Sequence, residues 1–173
     1  MARTDDDKAF FRRAIAEFEA PLLRFARTIV AGHASDVVQD TFERLLTEDR
    51  AKVEAHLGPW LFTVCRNRAL ELKRRRGRDF PLAEDDEMMS QDVSPEGAAV
   101  ERDQRRALRE TLDTLPDRQR EVVALRFAGG LSYQEIAEVT KLSVTNVGFI
   151  LHTALKALRA RMQQAETTAR RAG

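Results

Sequence analysis

Apolar residues recur along most of the chain at three- and four-residue intervals. No run alternates long enough for a strand, so the pattern predicts an all-α fold. Phe10, Phe11, Ala14, Ile15 and Phe18 make the first stripe. Pro21 cannot donate a backbone hydrogen bond and is expected to break or restart the helix, with Leu22, Leu23, Phe25, Ala26, Ile29 and Val30 forming the next stripe up to Gly32. Ser35 is placed to cap a third helix. Its Val37, Val38, Phe42, Leu45 and Leu46 face inward and its Gln39, Asp40, Glu43 and Arg44 are left for water or a partner. Gly58-Pro59 marks another start, with Pro59 suited to the first helical position and Trp60, Leu61, Val64, Cys65 and Leu72 supplying apolar surface as far as Gly77.

Between residues 79 and 103 the periodicity stops. Pro81 and Pro95 fall there among carboxylates, and the length is more than a loop inside one compact domain needs, so the segment reads as a tether between two helical domains, 1–78 and 104–173. Charge sharpens the division. The whole chain of 173 residues carries a formal +1, but residues 1–78 hold 16 basic and 12 acidic side chains, residues 79–103 hold 1 and 9, and residues 104–173 hold 12 and 7. Two basic blocks around an acidic strip suggest two surfaces that meet polyanions and a spacer that avoids or imitates them.

The second block resumes with Leu108, Leu112 and Leu115, then Pro116 opens a helix through Val122, Val123, Leu125 and Phe127 that Gly129-Gly130 closes. Ser132-Tyr133-Gln134-Glu135 has the Ser-x-x-Glu form of a capping box. Ile136, Ala137 and Val139 line the short helix it starts, and Leu142 fills the turn. Ser143 caps a long final helix bearing Val144, Val147, Ile150, Leu151, Ala154, Leu155 and Leu158. A small residue, Ala137, lets the two helices cross closely, and Val147 ten positions on helps fix their angle. This is the pattern of a helix-turn-helix able to present its second helix to a major groove, and equally of a generic helical hairpin.

In the first block Arg66, Arg68, Lys73, Arg74, Arg75, Arg76 and Arg78 stand against Glu71 alone. Such a run is either a solvated helix end or a phosphate-binding surface. Trp60 and Phe62 upstream could stack on an unpaired base, although aromatics at helical spacing are more often core. There is no glycine-rich phosphate loop, paired carboxylate constellation or activated nucleophile, so no catalytic residues are assigned and the chain is not expected to be an enzyme. One cysteine, Cys65, excludes an internal disulfide. His33, His56, His152 and Cys65 lack metal-ligand spacing, so neither metal nor cofactor is expected. No apolar stretch is long enough to insert in a membrane and the start lacks a signal segment, so the expected location is cytoplasmic.

Two sets of residues resemble the sigma-70 family, and within it the small extracytoplasmic-function sigma factors. Leu115-Pro116-Asp117-Arg118-Gln119-Arg120-Glu121-Val122-Val123, continued by Gly130-Leu131-Ser132-Tyr133-Gln134-Glu135-Ile136-Ala137, is similar to region 4 of that family. Asp36-Val37-Val38-Gln39-Asp40-Thr41-Phe42 and Pro59-Trp60-Leu61-Phe62 with Arg66-Asn67 are similar to region 2. The resemblance implies two helical domains that bind core RNA polymerase and direct it to promoters. Asp36, Gln39, Asp40, Phe42 and Glu43 would grip the β′ clamp. Trp60, Arg66, Asn67, Lys73, Arg74, Arg75 and Arg76 would meet the minus-10 element. Arg126, Ser132, Ser143, Thr145, Asn146, Phe149 and Lys156 would meet the minus-35 element. The acidic tether would run through the channel that later carries RNA. The partners implied are the polymerase core through its β′ and β subunits, promoter DNA and an anti-sigma factor.

The recognition helix departs from the family, with Gly148, Phe149, Ile150 and Thr153 where relatives commonly have basic or hydroxyl side chains. Thr145, Asn146 and Phe149 can read bases by hydroxyl, amide and thymine-methyl contacts, or Phe149 and Ile150 form an apolar patch for a protein. Lys141 stands where relatives place glycine in the turn, which implies either strain or a different turn. Two other functions fit parts of the chain: a LuxR-like helix-turn-helix regulator, against which the polymerase-like N-terminal half argues, and a helical adaptor whose C-terminal half binds protein.

Overall fold

The computed structural model describes residues 5–76 and 106–172, with side chains in the last helix described through 164 and at 167 and 168; the acidic strip 79–103 and both of its boundaries lie outside the described residues. Helices α1 (Asp5–Val30), α2 (Ala34–Thr47), α3 (Arg50–Val53) and α4 (Leu57–Arg76) make the N-terminal half. Helix α5 (106–113), α6 (Asp117–Phe127), α7 (Tyr133–Thr140) and α8 (Val144–Ala172) make the C-terminal half. Among the described residues there is no strand, and the architecture is the all-α, two-unit arrangement expected.

Three of the expectations about helix starts and breaks fail. Pro21 lies inside an unbroken 26-residue α1. Its missing N–H removes one bond, to the carbonyl of Glu17, and Glu17 is exposed to water. On the other side the apolar stripe continues in phase, with Phe10, Ala14, Leu22, Phe25 and Ala26 all buried, and that burial outweighs a local defect of about 3 kcal/mol. Ser35 does not cap α2: the N-cap is His33, without a side-chain cap bond, and Ser35 sits exposed within the first turn. Pro59 is the third residue of α4, which begins at Leu57, so the proline still falls where its absent N–H is not needed.

The C-terminal caps form as read. The Ser132 hydroxyl accepts from the amide of Glu135 at 3.3 Å while the Ser132 amide donates to Glu135 Oε2 at 2.7 Å. Ser143 accepts from the amide of Asn146 at 3.2 Å. Between the two helices Lys141 adopts φ 59°, ψ 32°, so of the two outcomes the lysine implied it is the left-handed, strained one that the turn takes. In α6 the helix ends at Phe127, whose ring is exposed rather than lining the core as its place in the stripe suggested.

Helices α1, α2 and α4 pack together, as do α6, α7 and α8. The two units also meet, α1 against α6 and α4 against α7, so that a single apolar cluster runs from Phe25, Leu61 and Phe62 to Val122, Leu125 and Ile136. Phe25 and Phe62 meet edge to face at 5.5 Å inside the N-terminal unit. At the seam Gly129 lies so close to Phe62 that a Cβ there would stand 2.9 Å from its ring and 2.7 Å from the carbonyl of Leu125.

Candidate nucleic-acid and polymerase interfaces

Helix α2 positions the first group. Asp36, Gln39 and Glu43 are exposed on its outer face, and the Gln39 amide donates to Glu43 at 2.9 Å. Asp40 is half-buried and accepts from Arg68 Nε at 2.5 Å, which joins this face to α4 beside Asn67. That pair is also what raises the Arg68 pKa, first by the hydrogen bond and then by the charge of Asp40. Phe42 corrects the expectation. It shares the inner side of α2 with Val38 and Leu45, is 8% exposed, and meets Phe11 edge-on at 6.2 Å, so it shapes the helix from beneath and offers no ring to a partner.

Helix α4 carries the second group. Trp60 is half-buried and packs against the core, Asn67 is exposed, and Lys73, Arg74, Arg75 and Arg76 line the exposed end. Their surroundings differ. Arg75 is paired with Glu71 at 2.5 Å, while Arg74 and Arg76 have no ion pair among the described residues. Arg66 and Lys73 cross the seam to α6: Arg66 Nε donates to Glu121 Oε1 at 2.5 Å, and Lys73 Nζ to Asp117 Oδ2 at 2.6 Å. The first pair is sheltered, with 14% of the Arg66 side chain and 8% of that of Glu121 exposed; the second lies in solvent. Lys73 holds the Asp117 carboxyl below its usual pKa, mainly through the hydrogen bond.

The third group lies on α7 and α8. Val147, Leu151 and Ala154 are buried, and opposite them Thr145, Phe149 and Lys156 are exposed, with Asn146 beside them. Phe149 is 68% exposed. The hydroxyls of Ser132 and Ser143 accept the cap bonds and keep their own protons to donate outward. Arg126 is held by the carbonyl of Leu131 at 2.9 Å and lies 5.7 Å from the ring centroid of Tyr133. The same ring flanks Gly148.

Three residues that bear on these surfaces escaped the sequence reading. His152 is exposed and lies at the i+3 position from Phe149, in line with Thr145, Phe149 and Lys156; the helical register carried that signal. Asp117 and Glu121 were seen only as part of a motif, and no local signal links them to Arg66 and Lys73, which lie 55 and 44 residues away in sequence. Among the described residues no group of His, Cys, Asp and Glu could hold a metal ion, and no helix is long and apolar enough to cross a membrane.

The family model for Sigma-70 region 2 matches residues 14–79, and that for Sigma-70 region 4 matches residues 105–158. Among similar proteins, the ECF RNA polymerase sigma factor SigM of Bacillus subtilis (strain 168) is 26% identical over 129 residues, covering 73% of this chain and 78% of SigM. EcfG of Rhodopseudomonas palustris (strain TIE-1), also an ECF RNA polymerase sigma factor, is 33% identical over 119 residues, covering 68% of this chain and 64% of EcfG. The chain belongs to the extracytoplasmic-function sigma factors of the sigma-70 family. Its fold agrees with two solved structures. One is CnrH in complex with the cytosolic domain of CnrY, with a TM-score of 0.62 and 25% identity over 91% of this chain and 90% of that one. The other is the sigma factor RpoE in complex with the anti-sigma factor NepR from Bartonella quintana, with a TM-score of 0.66 and 24% identity over 92% and 98%. As a sigma factor the protein binds core RNA polymerase and directs promoter-specific initiation, and the regulator and adaptor readings are not favoured.

Proposed function

We propose that this sigma factor divides its work among three faces. Asp36, Gln39, Asp40 and Glu43 on α2 hold the polymerase clamp, with Phe42 fixing the helix from inside. Trp60, Arg66, Asn67 and Lys73 through Arg76 on α4 take the minus-10 element, and Arg126, Ser132, Ser143, Thr145, Asn146, Phe149 and Lys156 take the minus-35 element. The domains run 1–78 and 104–173, with 79–103 as the connecting strip, and the protein acts beside the polymerase in the cytoplasm. The observation that carries the third assignment is the intact capped hairpin with an exposed row opposite its buried stripe. Base reading there rests on Asn146, which can bond adenine through N6 and N7 of its major-groove edge, and on Phe149 against a thymine methyl, while Arg126 and Lys156 take phosphates.

Run-off transcription from a library randomised at the minus-35 element, with purified core polymerase, tests this. Asn146→Ala is expected to shift the selected sequence, and an unchanged selection removes Asn146 from base reading. A second reading is supported by the 68% exposure of Phe149: this apolar side chain takes a protein, an anti-sigma factor, of the kind found in complex with the similar sigma factor RpoE. Phe149→Ser separates the two, because loss of minus-35 dependence with only polymerase and DNA present belongs to the DNA reading.

A further inference from the structure

Lys141 is the one non-glycine residue with a positive φ among the described residues, and by conformation alone a lysine is a poor occupant of that position. Its backbone is pinned on both sides. The N–H groups of Lys141 and Leu142 both bond to the carbonyl of Ala137, Arg118 holds the carbonyl of Thr140 at 3.3 Å, and the buried Thr140 hydroxyl donates to the carbonyl of Ile136 at 2.7 Å. The side chain, by contrast, is exposed and makes no hydrogen bond or ion pair among the described residues, not even with Glu138 one turn back. A strained backbone is thus held firmly while its ammonium stays free, and an outlier of that kind points to a use for the side chain.

The place it occupies lacks other cations. Lys141 is the only lysine or arginine from Ala128 to Leu155, and the first turns of α8 present Thr145, Asn146 and Phe149 around Gly148. Lys156 lies eleven residues beyond Thr145, about 16 Å along the axis. A recognition helix enters the groove by its N-terminal end, so the phosphates flanking that end meet no positive side chain of α8. We propose that Lys141 is a phosphate ligand of the minus-35 element, supplying from the turn the charge that the leading face of α8 lacks. This rests on the reading of α7 and α8 as the minus-35 reader. The ammonium is a compact point charge on a flexible four-carbon stem, suited to a phosphate oxygen, so the contact fixes register without reading sequence. Glycine at this position keeps the turn and loses the contact, so stability and binding pull residue 141 in opposite directions.

The test uses holoenzyme reconstituted from core polymerase and the full chain. The template is a promoter drawn from the wild-type library selection, in a long form that includes the minus-35 element and a short form that ends just downstream of it. Lys141→Met removes the charge and keeps the Cβ and the stem, Lys141→Gly removes all three, and Lys141→Arg keeps the charge; far-UV circular dichroism verifies that each is helical. On the long template Lys141→Met and Lys141→Gly are expected to bind about fivefold more weakly near physiological salt. The slope of log affinity against log salt falls in magnitude by about 0.9, the share of one phosphate contact, while Lys141→Arg stays near wild type. On the short template the variants and wild type bind alike, and none of the variants changes the minus-35 sequence selected from the library. Wild-type affinity of Lys141→Met on the long template overturns the proposal. So does equal loss on both templates, which moves the contact to the polymerase, and so does loss in Lys141→Gly alone, which makes the effect one of turn geometry. Lys156→Ala separates the failures: if it weakens binding to the long template while Lys141→Met does not, only the Lys141 contact is wrong. If neither differs from wild type, the minus-35 reading of α8 fails and the proposal with it.

Discussion

Replacing Lys141 by glycine should stabilise this protein. Lys141 ends α7 at φ 59°, ψ 32°, where an L-residue with a Cβ crowds its own carbonyl at a cost of about 1–2 kcal/mol. Its backbone N–H is bonded to Ala137, Leu142 bonds to the same carbonyl at 3.2 Å, and its side chain is exposed, so glycine keeps every contact of the turn. Against that relief stands the larger freedom that glycine loses on folding, about 0.5–1 kcal/mol. At the middle of both ranges the difference is a gain of about 0.7 kcal/mol, or some 1.5–3 °C in Tm for a chain of this size. Urea unfolding followed by circular dichroism measures it, with Lys141→Asn near neutral and Lys141→Val, branched at Cβ, lower than wild type. A Lys141→Gly protein no more stable than wild type would show that the left-handed position is not strained and would refute the reasoning.

Ser132→Ala removes one arm of the capping box and should cost about 1 kcal/mol, read as a lower urea midpoint at constant m-value. Burial pushes the Cys65 thiol up to about 12, so it should resist alkylation by iodoacetamide at pH 8 until the chain is unfolded; rapid native labelling would contradict its placement. The carboxyl of Asp117 sits below its usual pKa because of Lys73, so the stability it lends is present above about pH 3.9 and lost as pH falls through the lower folded value. The gap in stability between wild type and Asp117→Asn, under about 1 kcal/mol for an exposed pair, should therefore close in acid; a gap that widens below pH 4 would reverse the assignment.

What the sequence made legible was local or periodic. Ser132 and Glu135 specify their cap within four residues, and the stripe of Val147, Leu151 and Ala154 specifies which side of α8 is buried. Pro21 misled because a one-residue rule was weighed without the stripe running in phase through it, from Phe10 and Ala14 to Leu22 and Phe25. Ser35 misled similarly: the chain turns two residues earlier than its best capping side chain would choose, through a short 3-10 turn at Ala31–His33. Phe42 was read correctly as core by its spacing, and its assignment to a partner face came from the resemblance alone. The meeting of Arg66 with Glu121 depends on how two distant helices dock, and neither charge patterning nor propensity encodes that.

Helix α1 packs against α2 and α4 of its own half and against α6 of the other, so it belongs to both. Its shared position makes folding cooperative only while the halves are docked. In that state denaturant should dissolve the chain in one transition. Once the seam is open, the C-terminal unit loses the buried surface that α1 gave to α6 and should melt first, by itself. The docking of α1 on α6, together with that of α4 on α7, thereby decides whether the protein behaves as one thermodynamic body or as two.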